Sequence, residues 1–279
     1  MRLELAAALL SFVFCVPARA LAQHPTGDIE TDLAKKSQNP VGDLAAVPLQ
    51  FNFYTGGALS DRTLLDLNLQ PVLPLPVTSD VNLILRTIVP YLDIPVPTDP
   101  TVDPTPNRAS GIGDIQQQFF FTPSAPSDIT WGIGPIFSYP LATNDAARTG
   151  DWAVGPTGVI VFDIGPFLMG LLASQLWTFA GDDSGENLNF YSAQPFINFN
   201  LPEGWAITTA PIITANWAAD SDETWTVPLG GGVSKVTAVG EQALSVSLQY
   251  YHQIEYQAPQ GSELLRIVVS FLFPIKMRR

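Results

Sequence analysis

Polar side chains able to bind, pair with or filter a solute share one face of several apolar segments in this chain. Asp66, Asn68 and Gln70 alternate with Leu67 and Leu69. Asn82 and Arg86 share a face in the next segment, as do Asp114, Gln116 and Gln118 in the one after it. Gln194 with Asn198, Gln249 with Glu255, Asn52 and Arg266 extend the set. Amides, carboxylates and guanidinium groups in one file supply donors, acceptors and both signs of charge, which is what a selective pore lining needs. Asp66, Arg86 and Asp114 fall on the second, third and fourth segments. Arg266 falls on the twelfth, which would close beside the first. The expectation is a charged constriction. The same residues could instead form a salt-bridged plug that only stabilises a narrow barrel, and the sequence does not separate the two.

The elements that must position these groups are strands. Leu67, Leu69, Pro71 and Leu73 oppose Asp66, Asn68 and Gln70, and Leu244, Val246, Leu248 and Tyr250 oppose Ser245, Ser247 and Gln249. A period of two means a sheet with one oily and one polar face. Twelve segments follow the pattern: 46–54, 63–73, 81–92, 112–122, 129–140, 152–162, 167–179, 189–200, 205–217, 224–235, 243–256 and 263–273. An even count of segments about ten residues long is the signature of a transmembrane antiparallel up-and-down β-barrel, all-β, with the oily face turned to lipid. The connections alternate in kind. Short turns such as PLPVTS, PSAPS, IGP and LPEG alternate with longer loops such as LATNDAARTGD, AGDDSGEN and AADSDE, which carry many of the acids. With both termini in the periplasm, the short class faces inward and the acidic class outward.

The N-terminus and the composition agree. An apolar run from Leu5 to Pro17 ahead of Ala20-Leu21-Ala22 reads as a signal peptide over 1–22, too short to span a bilayer as a helix. Residues 23–44 then form a periplasmic leader or a plug entering the lumen, with Ile29 and Leu33 at weak helical spacing, and 45–279 the barrel. Cleavage removes Cys15, the one cysteine, so no disulfide is expected. The net charge of −13 argues against a nucleic-acid partner. Only 14% of residues are charged, against about 25% in an average soluble chain. The six tryptophans lie near segment ends, where an interfacial girdle would place them. Pro48, Pro71, Pro135, Pro156, Pro195, Pro211 and Pro228 fall inside segments. A closed ladder has no edge to hold a residue without an N–H, so bulges or shorter strands are expected there.

Enzymatic chemistry is poorly supplied. Only His24 and His252 remain after cleavage, so no metal site and no cofactor is expected. His252 falls on the outward face without a serine in a recognisable setting. The acids of the longer loops are expected to be solvated or to bind cations bridging lipopolysaccharide.

The motifs NLILRTIVP (82–90), GIGDIQQQFFF (111–121), WGIGPIFSYPLAT (131–143), SQLWTFAGD (174–182) and QPFINFNLPEGW (194–205) together resemble the bacterial outer-membrane barrels grouped with the meta-pathway phenol-degradation proteins. The resemblance covers nearly the whole chain after Gln23. It implies a Gram-negative outer-membrane barrel passing small, often aromatic or apolar, compounds, and it supplies no catalytic residues. The last strand, LLRIVVSFLF, resembles the signal read by the barrel-assembly machinery. Two functions stay open: a channel or transporter, and a non-conducting structural or adhesion barrel.

Overall fold

The computed structural model describes residues 27–57, 62–96, 108–181, 188–221, 223–240, 242–256 and 260–274. The expected signal peptide, its cleavage site and most of the acidic loop 180–187 lie outside these residues. Fifteen strand segments pair antiparallel: β1 (Leu44–Thr55), β2 (Leu64–Leu69), β3 (Val72–Pro76), β4 (Val81–Pro95), β5 (Arg108–Ile112), β6 (Ile115–Pro123), β7 (Ile129–Tyr139), β8 (Asp151–Ile164), β9 (Phe167–Gly181), β10 (Asn189–Asn200), β11 (Trp205–Thr209), β12 (Ile213–Asn216), β13 (Trp225–Val239), β14 (Gln242–Glu255) and β15 (Glu263–Pro274). Successive crossings of the sheet pair with one another, and β15 pairs with β1 from Leu44↔Pro274 to Thr55↔Glu263, so the sheet closes on itself. Three pairs of segments are halves of single crossings. Segments β2 and β3 both pair with β1 and β4, β5 and β6 both lie on β4, and β11 and β12 both lie between β10 and β13. The result is a twelve-stranded up-and-down barrel.

The breaks explain part of the proline puzzle. Pro71 and Pro211 sit in the gaps between strand halves, and Pro228 adjoins a register shift. Bulges or shorter strands are expected at all seven prolines, yet Pro48, Pro135, Pro156 and Pro195 stay within continuous strands. Pro135 pairs directly with Pro156. On the far side of each, the ladder lapses: β6–β7 pairing skips from Gln118↔Ile136 to Phe121↔Ile133, and β8–β9 pairing skips from Val154↔Trp177 to Thr157↔Ser174. The two missing N–H donors therefore coincide with stretches where no ladder bond is made. At Gly134 an added Cβ would stand 1.9 Å from the Phe119 carbonyl oxygen, and at Gly155 1.7 Å from that of Gln175. Only glycine allows the backbones to come this close.

The outside is oily. Trp131, Ile133, Leu171, Ile207, Leu229 and Leu248 are all exposed on the outer face. Aromatic residues mark its two borders. Tyr139 with Trp152 (5.6 Å) and Trp217 with Trp225 (5.3 Å) lie at the long-loop end, and Phe167 with Phe199 (4.9 Å) and Trp205 at the short-turn end. An apolar band between aromatic rims is what lipid requires of a barrel. Leu171 lies between Phe167 and Trp177, near mid-depth, and is 42% exposed. Leu171→Arg is expected to destabilise the barrel by about 2–4 kcal/mol when unfolding is measured in lipid vesicles. The same change at Lys36, exposed on the helix described next, should be near neutral.

The chain before β1 is not free of the barrel. Residues Gly27–Gln38 form helix α1 at the short-turn end. Acidic residues early and Lys35 and Lys36 in the last turn suit the helix dipole, and Pro40 follows the end of the helix. Lys35 Nζ reaches Asp163 Oδ1 and the Gly165 carbonyl, each at 2.6 Å. Gln38 and Asn200 exchange two amide bonds of 2.9 and 3.1 Å. Ala34 is buried with Leu44, Val236, Ala243 and Leu272. Asn39 then turns the chain, accepting from Val41 N at 3.0 Å through its side chain.

Candidate functional site: the barrel lumen

Val41 enters the barrel. It is buried against Ile84, Phe120, Val159, Val161, Leu168, Leu172 and Phe196, inward-facing residues of β4, β6, β8, β9 and β10. An apolar inner wall was not expected from a purely two-faced sheet. Its sequence signal was there in VIVF (159–162) and FLMGLL (167–172), where both faces are apolar, as in strands buried on both sides. Gly132 makes room for the plug: a Cβ there would meet Val41 Cγ1 at 3.3 Å and Phe120 Cβ at 3.1 Å.

The rest of the inner surface is polar and falls into two groups. In the first, Asn52 Nδ2 donates to Asp66 Oδ2 at 3.0 Å, and Asn68 Nδ2 to Asp66 Oδ1 at 2.7 Å. Arg266 Nε donates to Asn52 Oδ1 at 2.9 Å and Nη1 to the Ala210 carbonyl at 2.8 Å. Asn52 thus links the carboxylate to the guanidinium, and Arg266 lies 5.1 Å over the Tyr251 ring. Tyr251 is fully buried, its hydroxyl donating to Gln249 Oε1 at 2.8 Å and accepting from Ala210 N at 2.9 Å. The alternation of the sequence puts Tyr251 on the polar face with Gln249, but gives no sign that it packs under Arg266. In the second group, Arg86 Nη2 donates to Gln70 Oε1 at 2.7 Å and Nη1 to Gln118 Oε1 at 3.1 Å. The register makes this possible, since Arg86 lies opposite Gln118 on β6 and Val72 on β3.

Two expected members stand apart. Asp114 does not join the charges. Its strand breaks at Gly113–Asp114, and its carboxylate accepts from Ala142 N (3.1 Å), Thr149 N (2.8 Å) and Thr149 Oγ1 (2.5 Å), holding the loop 140–150. Glu255 is exposed at the rim, beyond the register shift at Val227/Pro228. Of the rest, Asn82 is half-buried near the short-turn end opposite Thr122, and Asn198 accepts from Thr208 Oγ1 at 2.7 Å. Gln116 and Gln194 line the cavities, and Gln249 bonds Ser247 Oγ at 3.3 Å.

Two cavities occupy the lumen. One, of about 220 Å³, has the turn after α1 (Gln38, Asn39, Pro40) as its floor. The other, of about 210 Å³, lies among Asn52, Asp66, Gln116 and Arg266. Both are lined by Gln70, Arg86, Leu172 and Gln194, so these four residues lie between the two cavities, at what is termed the neck. Each cavity exceeds the ~150 Å³ void that accommodates benzene in an engineered protein core.

On the outer face, His252 Nδ1 lies 2.9 Å from Glu263 Oε1, and the Tyr250 hydroxyl also donates to this carboxylate. Ser262 Oγ donates to Glu263 as well, at 3.3 Å, and not to the imidazole. A serine nucleophile needs its bond to the histidine base, so this cluster is not arranged for acyl transfer.

No protein-family profile and no curated protein matches the sequence. Among solved structures, an outer membrane channel from Pseudomonas putida F1 matches with a TM-score of 0.60 at 16% identity, over 82% of this chain and 94% of that one. The Salmonella typhi outer membrane phospholipase dimer with bound calcium matches at 0.42 and 10% identity, over 89% and 98% of the two chains. A bacterial polysaccharide outer membrane secretin matches at 0.38 and 10%, over 84% and 99%. The last two carry no argument. The chain is similar in fold to the Pseudomonas channel, a twelve-strand barrel architecture reached with little shared sequence.

Proposed function

We propose that this chain is an outer-membrane channel for small solutes with an apolar or aromatic part. The observation that carries the reading is the neck. Two cavities meet at Gln70, Arg86, Leu172 and Gln194, between a polar and an apolar wall. A solute with one polar edge and one oily face can keep contact with both walls, which a purely polar porin lumen would not offer. The likeness to an outer membrane channel supports the same reading, and the meta-pathway resemblance supplies the aromatic solute class. In this reading the chain is exported through a signal peptide over 1–22 and inserted by the barrel-assembly machinery. Its short turns and α1 face the periplasm, and its acidic loops face lipopolysaccharide.

The test is conductance of the purified full-length protein in a planar bilayer. Small discrete current steps are the expected result. A silent barrel that still shows its heat-dependent shift on a detergent gel would overturn the channel reading in favour of a structural or adhesion role.

A further inference from the structure

The charges of the lumen are not balanced in the same way. Asp66 and Arg266 are joined through Asn52, so each has the other's field close by. Arg86 has only neutral partners, the side-chain oxygens of Gln70 and Gln118. Among the described residues no carboxylate lies within ion-pair distance of it. Two amide oxygens fix the guanidinium plane but cancel none of its charge. They occupy two of its five N–H groups and leave the others free to donate. A cation held away from bulk water without a counter-charge is costly. Here it sits at the neck where both cavities meet.

Across from Arg86 the lining is apolar: Leu172 lines both cavities, with Phe196 in one and Ile212 in the other. Further along, Gln253 Oε1 and Thr226 Oγ1, on residues lining the second cavity, are buried without a protein partner. The acids of the long loops do not undo the local sign. Arg86 is nine residues from Pro95 at the end of β4, roughly 30 Å along the strand, whereas charges are screened beyond about 8 Å at physiological salt.

We propose that Arg86, oriented by Gln70 and Gln118, is the anion-recognition group of the lumen, and that its ligand is a small carboxylate whose aromatic or aliphatic body rests against Leu172 and Phe196. This deepens the channel reading by naming the solute class. The carboxylate takes the free N–H groups of the guanidinium as a charge-assisted pair, the strongest kind of hydrogen bond available there. The apolar body gains by leaving water.

The test uses benzoate as probe on the detergent-solubilised full-length protein, with binding followed by displacement of 4-fluorobenzoate in fluorine NMR. Benzoate should bind, and benzyl alcohol and acetate should each bind about tenfold or more weakly, because one lacks the charge and the other the ring. Arg86→Gln should cost benzoate about tenfold or more, and Arg86→Lys should restore part of it. Gln118→Glu keeps the packing but sets a carboxylate beside Arg86, so it should abolish binding without threatening the fold. If benzyl alcohol competes as well as benzoate, or Gln118→Glu binds benzoate like the parent, the proposal is overturned. Bilayer recordings separate it from the channel reading. Conductance without benzoate binding refutes the Arg86 site alone, and benzoate binding to a silent barrel refutes the channel alone.

Discussion

Removing residues 27–43 should raise the single-channel conductance at least about twofold, because the barrel keeps its twelve crossings while its lumen loses its floor. None of the strand ladders includes these residues, so the heat-dependent gel shift should persist. The hold on this segment is modest. Burial of a valine contributes about 1.5–3 kcal/mol, and the Lys35 ion pair and the Gln38–Asn200 amide pair are partly exposed to water. One substitution can therefore release it. Val41→Asp places a carboxylate among Ile84, Phe120, Val161 and Leu172 with no counter-charge, a cost exceeding the whole hydrophobic gain. Gly132→Val should act from the other side, since even its Cβ would stand 3.3 Å from Val41. Both should raise conductance as deletion does. Unchanged currents in all three would mean that the turn after α1 does not obstruct the path.

The largest stability effect is expected at Arg266. Its replacement by Leu leaves Asp66 buried with amide donors alone and deprives the Ala210 carbonyl of a donor. Stranding a buried charge whose counter-charge is bridged to it through Asn52 costs about 3–5 kcal/mol, read as a lowered denaturant midpoint for unfolding in lipid vesicles. Adding Asp66→Asn to Arg266→Leu should recover a good part of the loss, because the stranded charge is then gone. A double variant no more stable than Arg266→Leu would show that the Ala210 and Tyr251 contacts, and not the charge, account for Arg266.

The inside and outside of each strand were legible because strand side chains alternate without exception, so Leu248 and Tyr250 had to face opposite to Gln249 and Tyr251. Strand ends were legible from turn residues such as Gly165-Pro166, where a positive φ at the glycine makes a two-residue hairpin. The pairing of charges was not. Which residues meet across the lumen depends on how far each strand is staggered against the next, a property of closure that no single segment encodes. That is why Asp66, Arg86 and Asp114 looked like neighbours yet bond to Asn52, Gln118 and the Thr149 loop. Helix α1 was hard to read for another reason. Its buried contact is the small Ala34, not a stripe of large side chains. The apolar inner wall was hidden by the assumption that a barrel interior is polar throughout, although β8 and β9 are oily on both faces.

The seat of α1 also records how the barrel is put together. Ala34 packs against Leu44, the first residue of β1, and Leu272, near the end of β15, the two strands that meet at the seam. That surface is split between the opposite ends of the polypeptide and has no existence until they join. A helix seated there therefore reports that the circle is complete.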